Sequence, residues 1–413
     1  TVIPEKNFHL EAEHVEGFTP QVFWVTHGGN TEFEEKLALR PTSETLYTPM
    51  FKLWIRSHRD LPMKLYQRGS VFRLDTKATR PLIRTREILW IEAHNAFATK
   101  KQAEAQVQED IKISEKVMHK QLGIPFLSMK RPSWDKFAGA EYTVAADVLM
   151  PNGKLIQQPS THLMGQKFSK AFDAKFKDEN GKEEYIWTTA YGPAMSRILA
   201  SLISIHGDDK GLILPSCTSP IHVIIIPIFN KENKEKIIKK AEEINKKLNS
   251  IGLKSKLDLS EKTPGEKFNI WELKGVPLRI ELGERELNEK QIQLFTRDTQ
   301  EKEKISLAKI SSLKKALEDY DKRVLQNAEK ILKGKIVNCE TKTQLKETLD
   351  KGKIARINFC STEEPGITCG EKIEKEFSAE VRGTMANKKE TPTGNCLICN
   401  KKAEQVVYVG KSY

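Results

Sequence analysis

From Phe72 to Glu87 the sequence reads Phe-Arg-Leu-Asp-Thr-Lys-Ala-Thr-Arg-Pro-Leu-Ile-Arg-Thr-Arg-Glu, two strand-like runs joined by a cationic loop that carries Arg73, Lys77, Arg80, Arg84 and Arg86. Such a hairpin can clamp a triphosphate. Guanidinium groups bind phosphate oxygens through two parallel charge-assisted hydrogen bonds and neutralise the charge that builds when an α-phosphate is attacked. The same spacing also describes a solvated basic hairpin or an RNA-facing patch. A second constellation is Cys360, Cys369 and the pair Cys396-Leu-Ile-Cys399. The last pair has zinc-knuckle spacing, and four thiolates leave no open coordination position, so a tetrahedral structural Zn2+ is the natural reading. The longer gap in the first pair leaves Cys339 as an alternative ligand.

Elements must position these groups. Residues 63–74 and 87–97 are β-rich and suit an antiparallel sheet. From 100 to 123, Ala103, Val107, Ile111, Val117 and Leu122 keep helical spacing, with Gly123 and Pro125 as a stop. A second sheet-like stretch, 142–158, precedes 187–214, which contains another helical pattern, and 215–220 reads as a linker. Beyond it come a strand at 222–228, an amphipathic helix ending at Gly252, and strands at 253–259, 276–282 and 291–297, a pattern for a small α/β domain with some parallel pairing. A Lys-rich helical stretch from about 311 to 334 leads into the cysteine-bearing tail. Three domains are expected, at 1–215, 220–310 and 311–413.

Composition bounds the partners. The chain has 413 residues and a formal net charge of +12, so several cores and an electropositive surface that attracts a polyanion are expected. The apolar run 222–229 falls far short of the roughly 20 residues of a membrane span. Neither a membrane span nor a signal peptide is expected. Five of the six cysteines follow residue 330, a clustering that favours a local metal site over a disulfide framework and a cytoplasmic location. The start, Thr1-Val-Ile-Pro-Glu-Lys, reads as a mid-chain fragment.

Phe72-Arg73-Leu-Asp75, followed by Arg84-Thr-Arg-Glu-Ile-Leu-Trp90 and His94, resembles motif 2 of class II aminoacyl-tRNA synthetases, and in its Trp and His positions the archaeal/eukaryotic-like prolyl members of class IIa. Arg40-Pro-Thr42-Ser-Glu44 resembles their amino-acid-binding loop, and Ser196-Arg197 ahead of His206-Gly-Asp-Asp-Lys-Gly their motif 3. The resemblance runs in order along nearly the whole chain. It implies an α/β and α+β multidomain fold: an antiparallel-sheet catalytic core, an α/β anticodon-binding domain and a small zinc-binding C-terminal α+β domain.

The implied activity is that of a ligase that activates proline with ATP and Mg2+ and passes it to tRNA(Pro), in a homodimer. By resemblance, Arg73 holds the α-phosphate and the proline carboxylate, Arg84 contacts the outer phosphates and Arg197 stacks on adenine. Gln157 and Ser160 contact adenosine. Thr42 and Glu44 receive the proline nitrogen, while Trp90, His94 and His162 wall the ring pocket. Phe268, Trp271, Arg279 and Glu281 resemble the anticodon module, where aromatics stack on bases and the charged pair reads their edges; Phe268 and Trp271 are equally readable as core. Cys360, Cys369, Cys396 and Cys399 match the family's zinc set, and a terminal tyrosine, here Tyr413, folds back towards the active site in that family.

Three departures stand out. Only the end of motif 1 is present, in Val2-Ile-Pro4-Glu5; Ile88 replaces an aromatic that sandwiches adenine; and Met195 stands where a small hydroxyl residue is expected. No editing insertion lies between motifs 2 and 3, so an outside editing factor is expected, because pocket size rejects smaller amino acids only modestly. The alternatives are a tRNA-binding paralogue that has lost catalysis and a sister enzyme such as the threonyl one.

Overall fold

The computed structural model describes residues 2–74 and 79–413; Asp75 and Lys77 of the cationic loop lie outside the described residues. The chain divides into two compact units. The first comprises residues 1–115, 126–200 and 334–413, and the second residues 116–125 and 201–333.

A ten-stranded sheet organises the first unit, in the spatial order Ile336–Asn338, Ile354–Phe359, Gln405–Gly410, Glu380–Met385, Leu127–Lys130, Tyr142–Leu149, Leu155–Gly165, Trp187–Gly192, Glu87–Phe97 and Met63–Phe72. The expected hairpin is its edge: Met63–Phe72 pairs antiparallel with Glu87–Phe97 from Met63↔Ala96 to Phe72↔Glu87. Burial along that edge strand alternates, the signature of a half-covered face. The central strands Tyr142–Leu149 and Leu155–Gly165 are buried over most of their length, although they carry the polar side chains Asp147, Gln157, Gln158 and His162.

The helix Lys100–Ser114 is started by a capping box in which the Thr99 hydroxyl accepts from Gln102 N–H and the Gln102 side chain accepts from Thr99 N–H. It lays Ala103 and Val107 on Phe97 and Leu163 of the sheet. The helical spacing expected up to Gly123 is α-helical only to Ser114; Glu115–Gln121 winds as a π-helix, and Gly123 takes φ +64°. A separate three-stranded antiparallel sheet of Val2–Pro4, Thr31–Leu39 and Phe23–Gly28 encloses Ile3, Phe8, Phe18 and Ala38.

The second unit carries a five-stranded mixed sheet. Val223–Pro227 pairs parallel with Ser255–Leu257 and with Leu278–Leu282; the strands Gln291–Thr296 and Lys302–Ser306 continue it antiparallel. Its elements without a counterpart among the sequence expectations include the helices Pro264–Leu273 and Glu284–Asn288 and the charged strand Lys302–Ser306.

The expected third-domain boundary at 311 moves by one helix. Leu313–Gly334 buries Leu313, Leu317, Tyr320 and Val324 in the same core as Ile237, Leu248 and Ile280, so its apolar face belongs to the five-stranded unit. The cysteine-bearing residues 334–413 instead extend the ten-stranded sheet, with Thr384↔Lys130 and Met385↔Met129 as the pairing.

Candidate active site

Strand alternation gathers the first group of side chains. Trp90, Glu92 and His94 recur at every second residue of Glu87–Phe97, which puts them on one face. Gln157 and Ser160 differ in parity, and an ideal strand would separate them. The pairing shifts between Ala145↔Ser160 and Asp147↔Gln157, where two residues of one strand oppose one of the other. That bulge turns both side chains to the same cavity.

The cavity holds about 390 Å³ and is lined by Thr42, Glu44, Arg73, Trp90, His94, Gln157, Ser160 and His162 among others. All eight were singled out from the sequence. Arg84 and Arg197 line a second cavity of about 250 Å³ within the same unit, and Gln157 and Asp135 border both. Arg197 Nε donates to Ile83 O at 3.0 Å and its Nη1 to Gln157 O at 3.3 Å, which ties the cationic hairpin to the start of the helix Met195–His206. Arg84 donates to the main-chain oxygen of Tyr413.

Arg73 is fixed from three sides. Its Nε donates to Pro41 O at 2.8 Å, and the guanidinium lies 5.2 Å from the Phe18 ring centre and 5.5 Å from that of Trp90. In Thr42-Ser43-Glu44 the hydroxyls do not cap the helix Glu44–Trp54, as a Thr-Ser-Glu start would otherwise suggest. Thr42 Oγ1 donates to Glu44 Oε2 at 2.6 Å and Ser43 Oγ to Glu92 Oε1 at 2.5 Å.

Glu92 was missed by the sequence reading. It accepts from Gln67 Nε2 at 2.7 Å, pairs with His94 Nε2 at 3.0 Å and lies 3.8 Å from Arg40 Nη1. Its position midway between Trp90 and His94 on an alternating strand was the signal. Burial opposes its charge, but the bonds from His94 and Ser43 and the Arg40 charge win and hold the carboxyl below its usual value. Burial likewise works against a charged His94, and the Glu92 bond with the charges of Glu92 and Glu44 outweighs it and raises the imidazole. The Tyr47 ring stacks on His94 at 4.5 Å. His162 goes the other way, to about 3, through burial first and then the charges of His94 and Arg73. Its ring is neutral, with Nδ1 2.9 Å from Thr143 Oγ1 and Nε2 3.0 Å from Ser160 Oγ. Glu44 is raised, chiefly by burial, against the pull of His94 and the Thr42 bond.

Phe137, Asp135 and Lys136 complete the wall and were also absent from the sequence reading. Ile88 is not on it: the side chain is buried with Val71 and Ala194. Met195 is exposed at the first position of its helix.

Cys360, Cys369, Cys396 and Cys399 place their sulfurs within 4.8 Å of one another. Tetrahedral zinc with bonds near 2.3 Å requires sulfurs about 3.8 Å apart, so the set fits after small adjustments. Cys339 is excluded; its sulfur faces Val337 O at 3.6 Å and Thr348 Oγ1 at 3.3 Å. One zinc per chain is expected by elemental analysis. Cys396→Ser should lose it and lower Tm by roughly 5–10 °C; a metal-free chain that melts like the wild type would rule out the structural role.

In the second unit Arg279 and Glu281 share a strand face, as their spacing predicts, and there they bind each other. Arg279 Nη2 meets Glu281 Oε1 at 2.9 Å and Nη1 meets Glu272 Oε1 at 2.6 Å, while the rings of Phe268 and Phe295 lie 4.1 and 4.0 Å from the guanidinium. Trp271 is core, with its Nε1 donating to Asp258 Oδ2 at 2.7 Å. The buried pair is already satisfied internally, and Arg279 holds the Phe268 ring in place.

Three family descriptions match the chain: tRNA synthetase class II core domain (G, H, P, S and T) over residues 23–206, anticodon binding domain over 222–317, and prolyl-tRNA synthetase, C-terminal, over 343–413. A proline--tRNA ligase of Thermofilum pendens is 48% identical over 416 aligned residues, covering 100% of this chain and 85% of the relative. One from Methanopyrus kandleri is 44% identical, with 100% and 84% covered. Among solved structures, Giardia lamblia prolyl-tRNA synthetase in complex with prolyl-adenylate superposes with a TM-score of 0.96 at 37% identity, covering 100% of this chain and 86% of that one. The Cryptosporidium parvum enzyme complexed with halofuginone and AMPPNP gives 0.91 at 35% identity, with the same coverage.

Proposed function

This chain belongs to the prolyl-tRNA synthetase family of class II synthetases, and on that premise we propose which of its residues bind and activate proline. The activity is proline–tRNA ligation: proline and ATP give prolyl-adenylate, and the prolyl group then passes to the 3′ end of tRNA(Pro). The observation that carries the site assignment is the convergence of Thr42, Glu44, Arg73, Trp90, His94, Gln157, Ser160 and His162 on one cavity.

A proline carboxylate oxygen attacks the α-phosphorus, a P–O bond forms and pyrophosphate leaves with the broken bond's electrons. No side-chain nucleophile is needed; orientation and electrostatics suffice. Arg73 bridges the two reacting anions, Arg84 takes the outer phosphates and Arg197 lies over adenine, with Gln157 and Ser160 on adenosine. Mg2+ would come with the phosphates, keep several of its waters and offset the charge that builds at the α-phosphorus.

The secondary ammonium of proline has two N–H donors, and Glu44, oriented by Thr42, accepts from it. The pyrrolidine ring lies among Trp90, His94 and the neutral His162. A threonyl-type pocket would use a cysteine-bound zinc, and among the described residues no cysteine lines this cavity. The retained arginines speak against an inactive paralogue. The electropositive surface suits tRNA, with Phe268 and its neighbours as the anticodon surface and Arg279 and Glu281 as its internal brace. A homodimer and a cytoplasmic location complete the proposal. None of the six cysteines is in a disulfide, which suits a reducing compartment, and among the described residues no helix is long and apolar enough to cross a membrane.

Glu44 supplies the test. Proline binding needs its charged form, so KM for proline should rise as pH falls through its raised pKa, with KM for ATP unaffected. Glu44→Gln should raise KM for proline about 100-fold and erase that pH dependence, since a charge-assisted bond is worth roughly 1.5–3 kcal/mol. Weakened ATP binding with proline binding intact would contradict the assignment.

A further inference from the structure

Residues 131–141 connect the strand Leu127–Lys130 to Tyr142–Leu149, and Asp135, Lys136, Phe137 and Ala138 of this connection line the proline cavity. One residue of the core holds it at two points, its start and its middle. Thr143 O accepts from Arg131 N–H at 2.9 Å, and Thr143 Oγ1 accepts from Phe137 N–H at 2.9 Å, leaving its own hydrogen for His162 Nδ1. Phe137 then faces His162 with ring centres 4.5 Å apart.

The apex is held differently. Ser133 N–H donates to Thr362 O at 2.8 Å, two residues past Cys360 of the four-cysteine set. Trp134 packs on the core cluster that contains Cys360, Cys369 and Cys396. At Gly370, the residue after Cys369, an added Cβ would come within 3.0 Å of the Trp134 ring. The backbone beside two of the four thiolates therefore forms the bed on which the apex rests, and the other side of that apex is the cavity wall.

We propose that Trp134 is a positioning residue through which the four-cysteine zinc site sets the placement of residues 135–138 against proline, so that metal binding and proline binding are thermodynamically coupled. This rests on the proline-site assignment above. A zinc that bound four thiolates and only stabilised the fold would leave proline affinity alone. A zinc whose ligand-bearing turns hold the apex changes that affinity, and linkage requires proline to change zinc affinity by the same factor.

Trp134→Ala should raise KM for proline about 10-fold, as expected for a wall displaced by a fraction of an ångström, with kcat and KM for ATP within about twofold and zinc still bound. Trp134→Phe should restore KM. Gly370→Ala keeps Trp134 and all four cysteines and presses on the ring; it should raise KM in the same direction, so that a loss of folding in one variant leaves the other to decide. The second readout is equilibrium zinc affinity by chelator competition, which needs no turnover. Saturating proline should tighten zinc about fivefold in the wild type and leave Trp134→Ala unchanged. Unchanged proline KM in the folded variants, or zinc affinity indifferent to proline in a wild type that exchanges pyrophosphate with proline, overturns the coupling. A wild type without proline-dependent exchange overturns the site assignment instead.

Discussion

Arg73→Ala is expected to lower proline-dependent ATP–pyrophosphate exchange by at least about 10³-fold while Tm stays close to that of the wild type. Removing a single preorganised donor from a developing oxyanion costs about 10²–10³ in rate. Arg73 is placed to serve two anions at once, so its loss also leaves the carboxylate and the α-phosphate to repel each other. Its guanidinium is held by Pro41 O and two aromatic rings at the cavity wall and is not a strut of the core. Arg73→Lys should fail nearly as badly, because an ammonium cannot present two parallel donors. Initial rates of exchange at saturating ATP and proline, alongside thermal melts, decide it; a variant that retained a tenth of the rate would remove Arg73 from the reaction.

The second large effect is on stability. Asp147 is fully buried and receives two guanidinium groups. Arg131 meets it at 2.6 and 2.7 Å, and Arg382, from the cysteine-bearing region, at 2.9 and 3.0 Å. Burial alone would raise this carboxyl, but the two arginines hold it down at about 2. Asp147→Ala leaves the buried guanidinium groups only the half-exposed carboxylates of Asp135, beside Arg131, and Glu380, beside Arg382, and should cost about 3–5 kcal/mol. The arrangement also reaches the nucleotide contact, because Arg131 Nη2 donates to Gln157 Oε1 at 3.1 Å, so KM for ATP should rise with the loss of stability.

The pH dependence has a definite sign. The folded pKa lies below the unfolded value near 3.9, so the stabilisation is complete above about pH 4 and disappears as pH falls towards 2. The difference in urea unfolding between wild type and Asp147→Ala should be full at pH 7 and smaller by roughly 2 kcal/mol at pH 2. A constant difference across that range would mean that the carboxylate charge is not what is lost.

The sequence was most informative where function and periodicity coincide. The hairpin of 63–72 and 87–97 was readable because its exposed edge alternates, and the eight cavity residues because their order and joint spacing resemble the motifs of class II synthetases. Glu92 obeys the same alternation and was passed over only because no motif drew attention to it. The helix Pro264–Leu273 had a legible start in Thr263-Pro264 with Glu266, a capping box with proline at the first turn.

Other features have no local signature. Asp147, Arg131 and Arg382 come together from positions up to 251 residues apart, and no spacing rule reaches that far. Which core the amphipathic helix Leu313–Gly334 joins depends on a partner surface that its own pattern does not specify. The bulge that aims Gln157 and Ser160 together is a property of strand pairing, invisible in either strand alone. Arg279 and Glu281 illustrate the opposite error: their shared face was predicted correctly, but a shared face also lets opposite charges neutralise each other.

The central claim is that this cavity activates proline, and ATP–pyrophosphate exchange measured with each of the amino acids in turn tests it most directly. Proline should drive exchange. Alanine should do so about 10–200-fold less efficiently, the range that missing methylenes in a pocket provide, and threonine not detectably. Exchange that is absent with proline, or faster with any other amino acid, would contradict the account.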